Sequence, residues 1–206
     1  MNVRSPHTFA RSRTGEYRTR TSRGFSLIEV LVAIVVLSFG LLGMVGMQAF
    51  ALQSNREARL QGQAAVLARE LAEMMRGNKV VGSDPSSTNN FYLGTFTVGN
   101  LSMGSNASYC SGANALTPCA TPADVAKAEM TDWLNRVNTE LPGARVSVCF
   151  DDAPYDSSGM PQWTWTCPAT GADEIAVIKI GWTRASTDRS RTDADAIESA
   201  ASNPPH

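Results

Sequence analysis

Arg23-Gly24-Phe25-Ser26-Leu27-Ile28-Glu29-Val30-Leu31-Val32-Ala33-Ile34-Val35 decides how this chain is read: a glycine behind a basic leader, then an apolar run broken by one carboxylate. Residues 25–52 contain no Lys, Arg, Asp or Pro, and Glu29 is the only formal charge among those 28 residues. A helix of that length reaches roughly 42 Å, more than the roughly 30 Å of a bilayer core. The run is long enough to span a membrane.

Six arginines (residues 4, 11, 13, 18, 20 and 23) and one acid, Glu16, precede the run, so residues 1–24 carry +5. A cleavable secretory signal has an apolar region of about 7 to 15 residues with its small-residue cut after it. Here the run is longer and the glycine comes first. The arginine excess predicts that residues 1–24 stay cytoplasmic and that the chain beyond Leu52 is exported. The Arg-, Ser- and Thr-rich leader shows no strong structural signal and reads as disordered.

A carboxylate within a spanning helix costs up to roughly 2.5 to 3.5 kcal/mol at mid-bilayer and less near the interface, so Glu29 needs a partner or a route to water. Snorkelling to the cytoplasmic surface would serve an isolated anchor. The combination of Gly24, Phe25 and Glu29, followed by Leu31 to Val35, resembles the prepilin processing motif G-F-[ST]-L-[IL]-E of the type IV pilin and pseudopilin superfamily. The resemblance implies that prepilin peptidase cuts between Gly24 and Phe25. Phe25 becomes the mature N-terminus and is N-methylated by the same enzyme. Glu29 then pairs with the terminal amine of a neighbouring subunit, which fixes the axial register between helices. Leaders in this family are usually shorter than 24 residues, but processing reads the junction.

Three glycines, Gly40, Gly43 and Gly46, recur at a spacing of three. The small-residue spacing known for close helix contact in membranes is four, so local flexibility is an equal reading. The block from Phe39 to Gln48 is similar to the SFGLLGLxGLQ stretch of one subgroup, the minor pilins called PilV or type IV pilus modification proteins. Major pilins usually have a proline in this region, and this chain has none.

After Leu52 the helical pattern continues as an apolar stripe of Leu60, Ala64, Leu67, Leu71 and Met74, running to about Arg76. Gly77-Asn78 supplies the stop. Residues 78–120 are rich in Gly, Ser, Asn and Thr and read as a loop with one short strand at 91–98. Thr121-Pro122-Ala123-Asp124 is a helix start, with Thr as cap, Pro at the first position and a carboxylate three residues on. Val125, Ala128, Trp133, Val137 and Leu141 continue the stripe to Leu141-Pro142-Gly143. Trp133 to Gly143 is also similar to the WxxxLxxxLPG stretch of PilV-like proteins.

Three strands are expected at 145–150, 162–167 and 174–183, forming an antiparallel sheet on the long helix, with Trp163, Trp165 and Trp182 in the core. The fold expected is therefore α+β and type IV pilin-like: a long N-terminal helix, transmembrane then amphipathic, packed on a small antiparallel β-sheet head. Its parts are a cleaved leader (1–24), a membrane half (25–52), an amphipathic half (53–77), a periplasmic head (78–183) and a disordered polar tail (184–206).

Cys110, Cys119, Cys149 and Cys167 make an even set in an exported domain. No C-x-x-C occurs and the only histidines are His7 and His206, so disulfides fit and a zinc site does not. Of three connectivities, the nearest-neighbour pairs Cys110–Cys119 and Cys149–Cys167 are expected. An unbulged pairing of the two strands around the second would set Trp163 and Trp165 opposite Arg145 and Ser147, which a bulge or an offset strand would cure.

No Ser-His-Asp or Cys-His site can be assembled from these histidines, and no phosphate-binding glycine loop occurs, so no enzyme, metal or cofactor is expected. The chain carries −1 and its leader +5, which leaves −6 on residues 25–206, a poor balance for direct nucleic-acid binding. Three functions remain: a minor pilin of a type IV pilus, a type II secretion pseudopilin, or a bitopic anchor carrying a periplasmic binding module. The first is preferred on the Gly40–Gln48 and Trp133–Gly143 stretches. Its expected partners are other pilins, prepilin peptidase and the inner-membrane assembly platform, and its route runs from the inner membrane to the cell surface.

Overall fold

The structure, a computed structural model, describes residues 24–111, 115, 117–169, 174–186 and 197–201. The leader expected at 1–24 lies outside it except for Gly24. One helix, α1, runs from Leu27–Gly77. Its first half is a run of apolar residues, and its second is rich in Ala, Leu, Glu, Arg and Gln, all strong helix formers. The chain divides into two units, Met1–Ala49 and Phe50–His206.

In the first unit the described residues are exposed throughout. The most apolar 18-residue window of α1 has no buried residue, and by length and composition it fits a membrane anchor near the N-terminus.

The second unit is the head. A short helix, α2 (Lys79–Gly82), follows α1, and a third, α3, covers Pro122–Glu140. Thr121 caps α3 by accepting from the Asp124 amide (3.2 Å), and Pro122 occupies its first turn, where a missing N–H costs nothing. The three strands β1 (Gly94–Phe96), β2 (Arg145–Asp151) and β3 (Ile175–Gly181) form an antiparallel sheet in the order β1-β2-β3.

Register assigns the sheet's two faces. Val146 lies opposite both Phe96 and Ile180, and Val148 opposite Ile178. This even-numbered face joins a core with Leu60, Leu67 and Leu71 of α1 and Met130, Trp133 and Val137 of α3. Polar bonds fix the fit of the two helices: the Trp133 indole N–H donates to the Leu67 carbonyl (2.9 Å), and Arg136 pairs with Glu70. The chain turns from α3 into β2 at Gly143, whose positive φ of 57° suits glycine. A Cβ there would also meet the Thr183 hydroxyl at 2.4 Å.

Several sequence expectations need correction. The apolar stripe on α1 ends on Met75, with Met74 only half-buried, because a straight helix rotates its face slightly with each heptad. The strand expected at 91–98 shortens to β1. No strand forms at 162–167: β1 and β3 occupy the two edges of β2, so that segment has no edge of β2 to join. The register conflict with Trp163 and Trp165 disappears with it, since the residue opposite Cys149 is Val177. Of the three tryptophans Trp182 is buried, Trp165 half-buried and Trp163 exposed.

The region expected as a structureless tail contains two short strands, β4 (Arg184–Ala185) and β5 (Ile197–Glu198), paired antiparallel. Arg184 explains the order there, for it bonds Glu198 (2.8 Å) and reaches Glu57 of α1 (3.7 Å). Ala200 is fully buried.

Candidate processing and assembly site

Gly24, Phe25 and Ser26 precede the first helical residue, Leu27, and Phe25 is 81% exposed. Nothing lies within 4 Å of where a Cβ on Gly24 would sit, and its φ is not positive. The fold therefore makes no demand for glycine at this position; a demand must come from whatever reads the junction. The Ser26 carbonyl accepts from the Glu29 amide (3.0 Å) and the Val30 amide (3.3 Å), which closes the first helical turn.

That turn holds Glu29, exposed and without an ion-pair partner among the described residues. A carboxylate at a helix N-terminus gains about 0.3 to 1 kcal/mol from the free amides and the helix dipole. This is a local reason for an acid at position 29. It offsets part of what placing that charge in lipid would cost, a cost that is lower near the interface than at mid-bilayer. Gly24, Phe25 and Glu29 thus form one short, exposed stretch, whose carboxylate has no ion-pair partner among the described residues.

In the head, Cys110 is bonded to Cys119 and Cys149 to Cys167, and no cysteine is free. Among the described residues no group of three His, Cys, Asp or Glu side chains could hold a metal. Two buried polar features escaped sequence reasoning. Tyr92, fully buried, donates its hydroxyl to Glu129, and its phenol is pushed well above its ordinary value, first by burial and then by that hydrogen bond. Lys179 donates to Asp151 (2.9 Å) with both side chains almost wholly buried. Neither pair has a short sequence spacing that could have revealed it.

The other notable surface is an open groove of about 340 Å³ beside β3, lined by Pro154, Tyr155, Gln162, Trp163 and Ile175 among others. Tyr155, Trp163 and Ile175 are each more than half exposed.

Residues 19–45 match the prokaryotic N-terminal methylation motif. The match takes in Gly24, Phe25 and Glu29, so the junction carries a type IV pilin-like prepilin signal. Such a signal implies processing by prepilin peptidase and assembly with other pilins, and it suggests a structural subunit rather than an enzyme. No curated protein and no solved structure matches the chain.

Proposed function

We propose that this chain is a minor pilin of a type IV pilus, cut between Gly24 and Phe25, N-methylated on Phe25, and set in register within the fibre by Glu29. The observation that carries the reading is the prepilin signal at 19–45, joined to a helix whose apolar half buries nothing of its own. A helix with that surface needs lipid before assembly and other helices after it. The exposed carboxylate of Glu29 is suited to the positive terminal amine of an adjacent subunit, because two opposite charges in a dry setting satisfy each other.

The leader's +5 supports an orientation with residues 1–24 cytoplasmic and the head in the periplasm, where two disulfides are at home. The Gly40–Gln48 and Trp133–Gly143 stretches favour a PilV-like subunit that helps start pilus assembly, with a place at the tip serving adhesion or twitching. A type II secretion pseudopilin is the second reading, since it would share the same signal and helix.

Intact mass of the mature protein, in cells with and without prepilin peptidase, tests the processing. A product beginning at methylated Phe25 that vanishes without the peptidase is expected; residues before Phe25 retained in both strains would defeat the pilin reading. Presence in sheared surface fibres separates pilus from secretion system.

A further inference from the structure

We propose that the Cys149–Cys167 bond is a clasp: closed, it holds residues 162–167 as a strap over the buried Asp151–Lys179 pair; opened by thiol–disulfide exchange, it uncovers Lys179 and takes apart the Trp163 wall of the groove beside β3. The inference concerns the head alone and stands whether or not the chain enters a fibre.

The sheet's even-numbered face is closed by α1 and α3, while its odd-numbered face carries Arg145, Ser147, Cys149 and Asp151 on β2, with Gly181, Lys179 and Val177 opposite the first three. Three consecutive strap residues meet three successive rows of that face. The Trp165 ring lies under the Arg145 guanidinium (4.2 Å), and a Cβ on Gly181 would come within 3.0 Å of the same ring, so glycine leaves room for it. The Thr166 carbonyl accepts from Lys179 Nζ (2.6 Å). Cys167 is bonded to Cys149.

Lys179 thus divides its protons between Asp151 and the strap, and its side chain is 6% exposed. A buried ion pair holds only while its charges keep their partners and stay out of water. The covalent link keeps the strap at high effective concentration over the face. Without it, each remaining contact competes with hydration, and local opening of the loop closed across a sequence separation of 18 no longer requires breaking a bond.

Cys149 and Cys167 are both half-buried, so an external thiolate can reach them. A dithiol attacks one sulfur and forms a mixed disulfide, releasing the other cysteine as thiolate. The dithiol's second thiolate then displaces the remaining cysteine. Two electrons pass to the protein, the dithiol leaves as a cyclic disulfide, and its two protons end on Cys149 and Cys167. The outer face of the head is therefore complete in an oxidising compartment and incomplete in a reducing one.

The chain has three lysines, Lys79, Lys127 and Lys179, and Lys79 is exposed, which supplies an internal reference for an amine-acylation assay read by peptide mass. In the oxidised full-length chain in detergent micelles, Lys179 should react at least about tenfold more slowly than Lys79. A dithiol should remove most of that difference and speed amide exchange at 162–167, with exchange in β2 still slow. Cys149→Ser/Cys167→Ser should reproduce this without reductant, and Cys110→Ser/Cys119→Ser should retain the dithiol response. Lys179 still protected in the reduced protein would overturn the clasp. So would loss of protection across β2 at the same time, because the bond would then be holding the whole head rather than a strap.

Discussion

Residues 27–49 and 50–77 belong to one helix, yet their side chains meet opposite surroundings. In the first stretch Leu37 is 62% exposed and Leu42 69%; in the second Leu67 is 2% exposed and Leu71 0%. The backbone is the same, so helicity by itself says nothing about what a helix is for. The second stretch spends its apolar stripe on the head's core; its arginines Arg56, Arg59, Arg69 and Arg76 are exposed, while Glu70 and Glu57 pair with Arg136 and Arg184. The first has no such division, and an all-round apolar surface needs an apolar surrounding. The acids differ in the same way: Glu29 has no ion-pair partner among the described residues, whereas Asp151 in the head is paired and sealed.

The largest test of this contrast removes each acid in turn. Asp151→Ala strands Lys179 in the interior and should cost the head about 3 to 5 kcal/mol in denaturant unfolding. Glu29→Ala should leave head unfolding unchanged while impairing incorporation into fibres; normal incorporation would end its register role. Next, Leu71→Ala should cost about 2 to 5 kcal/mol, since it opens a cavity in a packed core. Leu42→Ala should leave head unfolding in detergent within about 0.5 kcal/mol of the parent, as expected of a site away from the head's core. An equal loss at both positions would abolish the distinction between the halves.

Tyr92→Phe is a finer probe and should cost about 1 to 2 kcal/mol at neutral pH, the contribution of a hydrogen bond to a carboxylate. The raised phenol pKa means the folded state holds its proton more tightly than the unfolded one. That contribution is present below about pH 10, the unfolded value, and is lost as pH rises beyond it. Thermal melts from pH 8 to 11 should therefore fall more steeply for the parent than for Tyr92→Phe, and parallel curves would contradict the burial of this phenol. Among the substitutions that remove a contact within the head, the smallest effect is expected for Thr121→Ala, about 1 kcal/mol from loss of the α3 cap, with the melting temperature as readout.

Much of the fold was legible because it depends on local rules. The start of α3 could be read from Thr121, Pro122 and Asp124, since a cap and its amide lie three residues apart. The end of α1 could be read from Gly77-Asn78, and the junction from Gly24, Phe25 and Glu29. The errors came where a segment's state depends on which edge is free. Residues 162–167 have the aromatic and threonine pattern of a strand, but β2 has only two edges and both are taken. Arg184 and Glu198, 14 residues apart in a polar region, order β4 and β5 through a pairing that no periodicity announces.

The sequence by itself determined the junction and the apolar run, because each depends on residues close along the chain; for the cysteines it only favoured the nearest-neighbour pairs over two other connectivities. Tertiary structure decided that β3 rather than 162–167 pairs with β2, that Trp133 hydrogen-bonds α1, and that Lys179 is buried against Asp151 under the strap. Those outcomes turn on competition for a limited number of sheet edges and on polar groups meeting across tens of residues, and chain-local pattern carries no information about either.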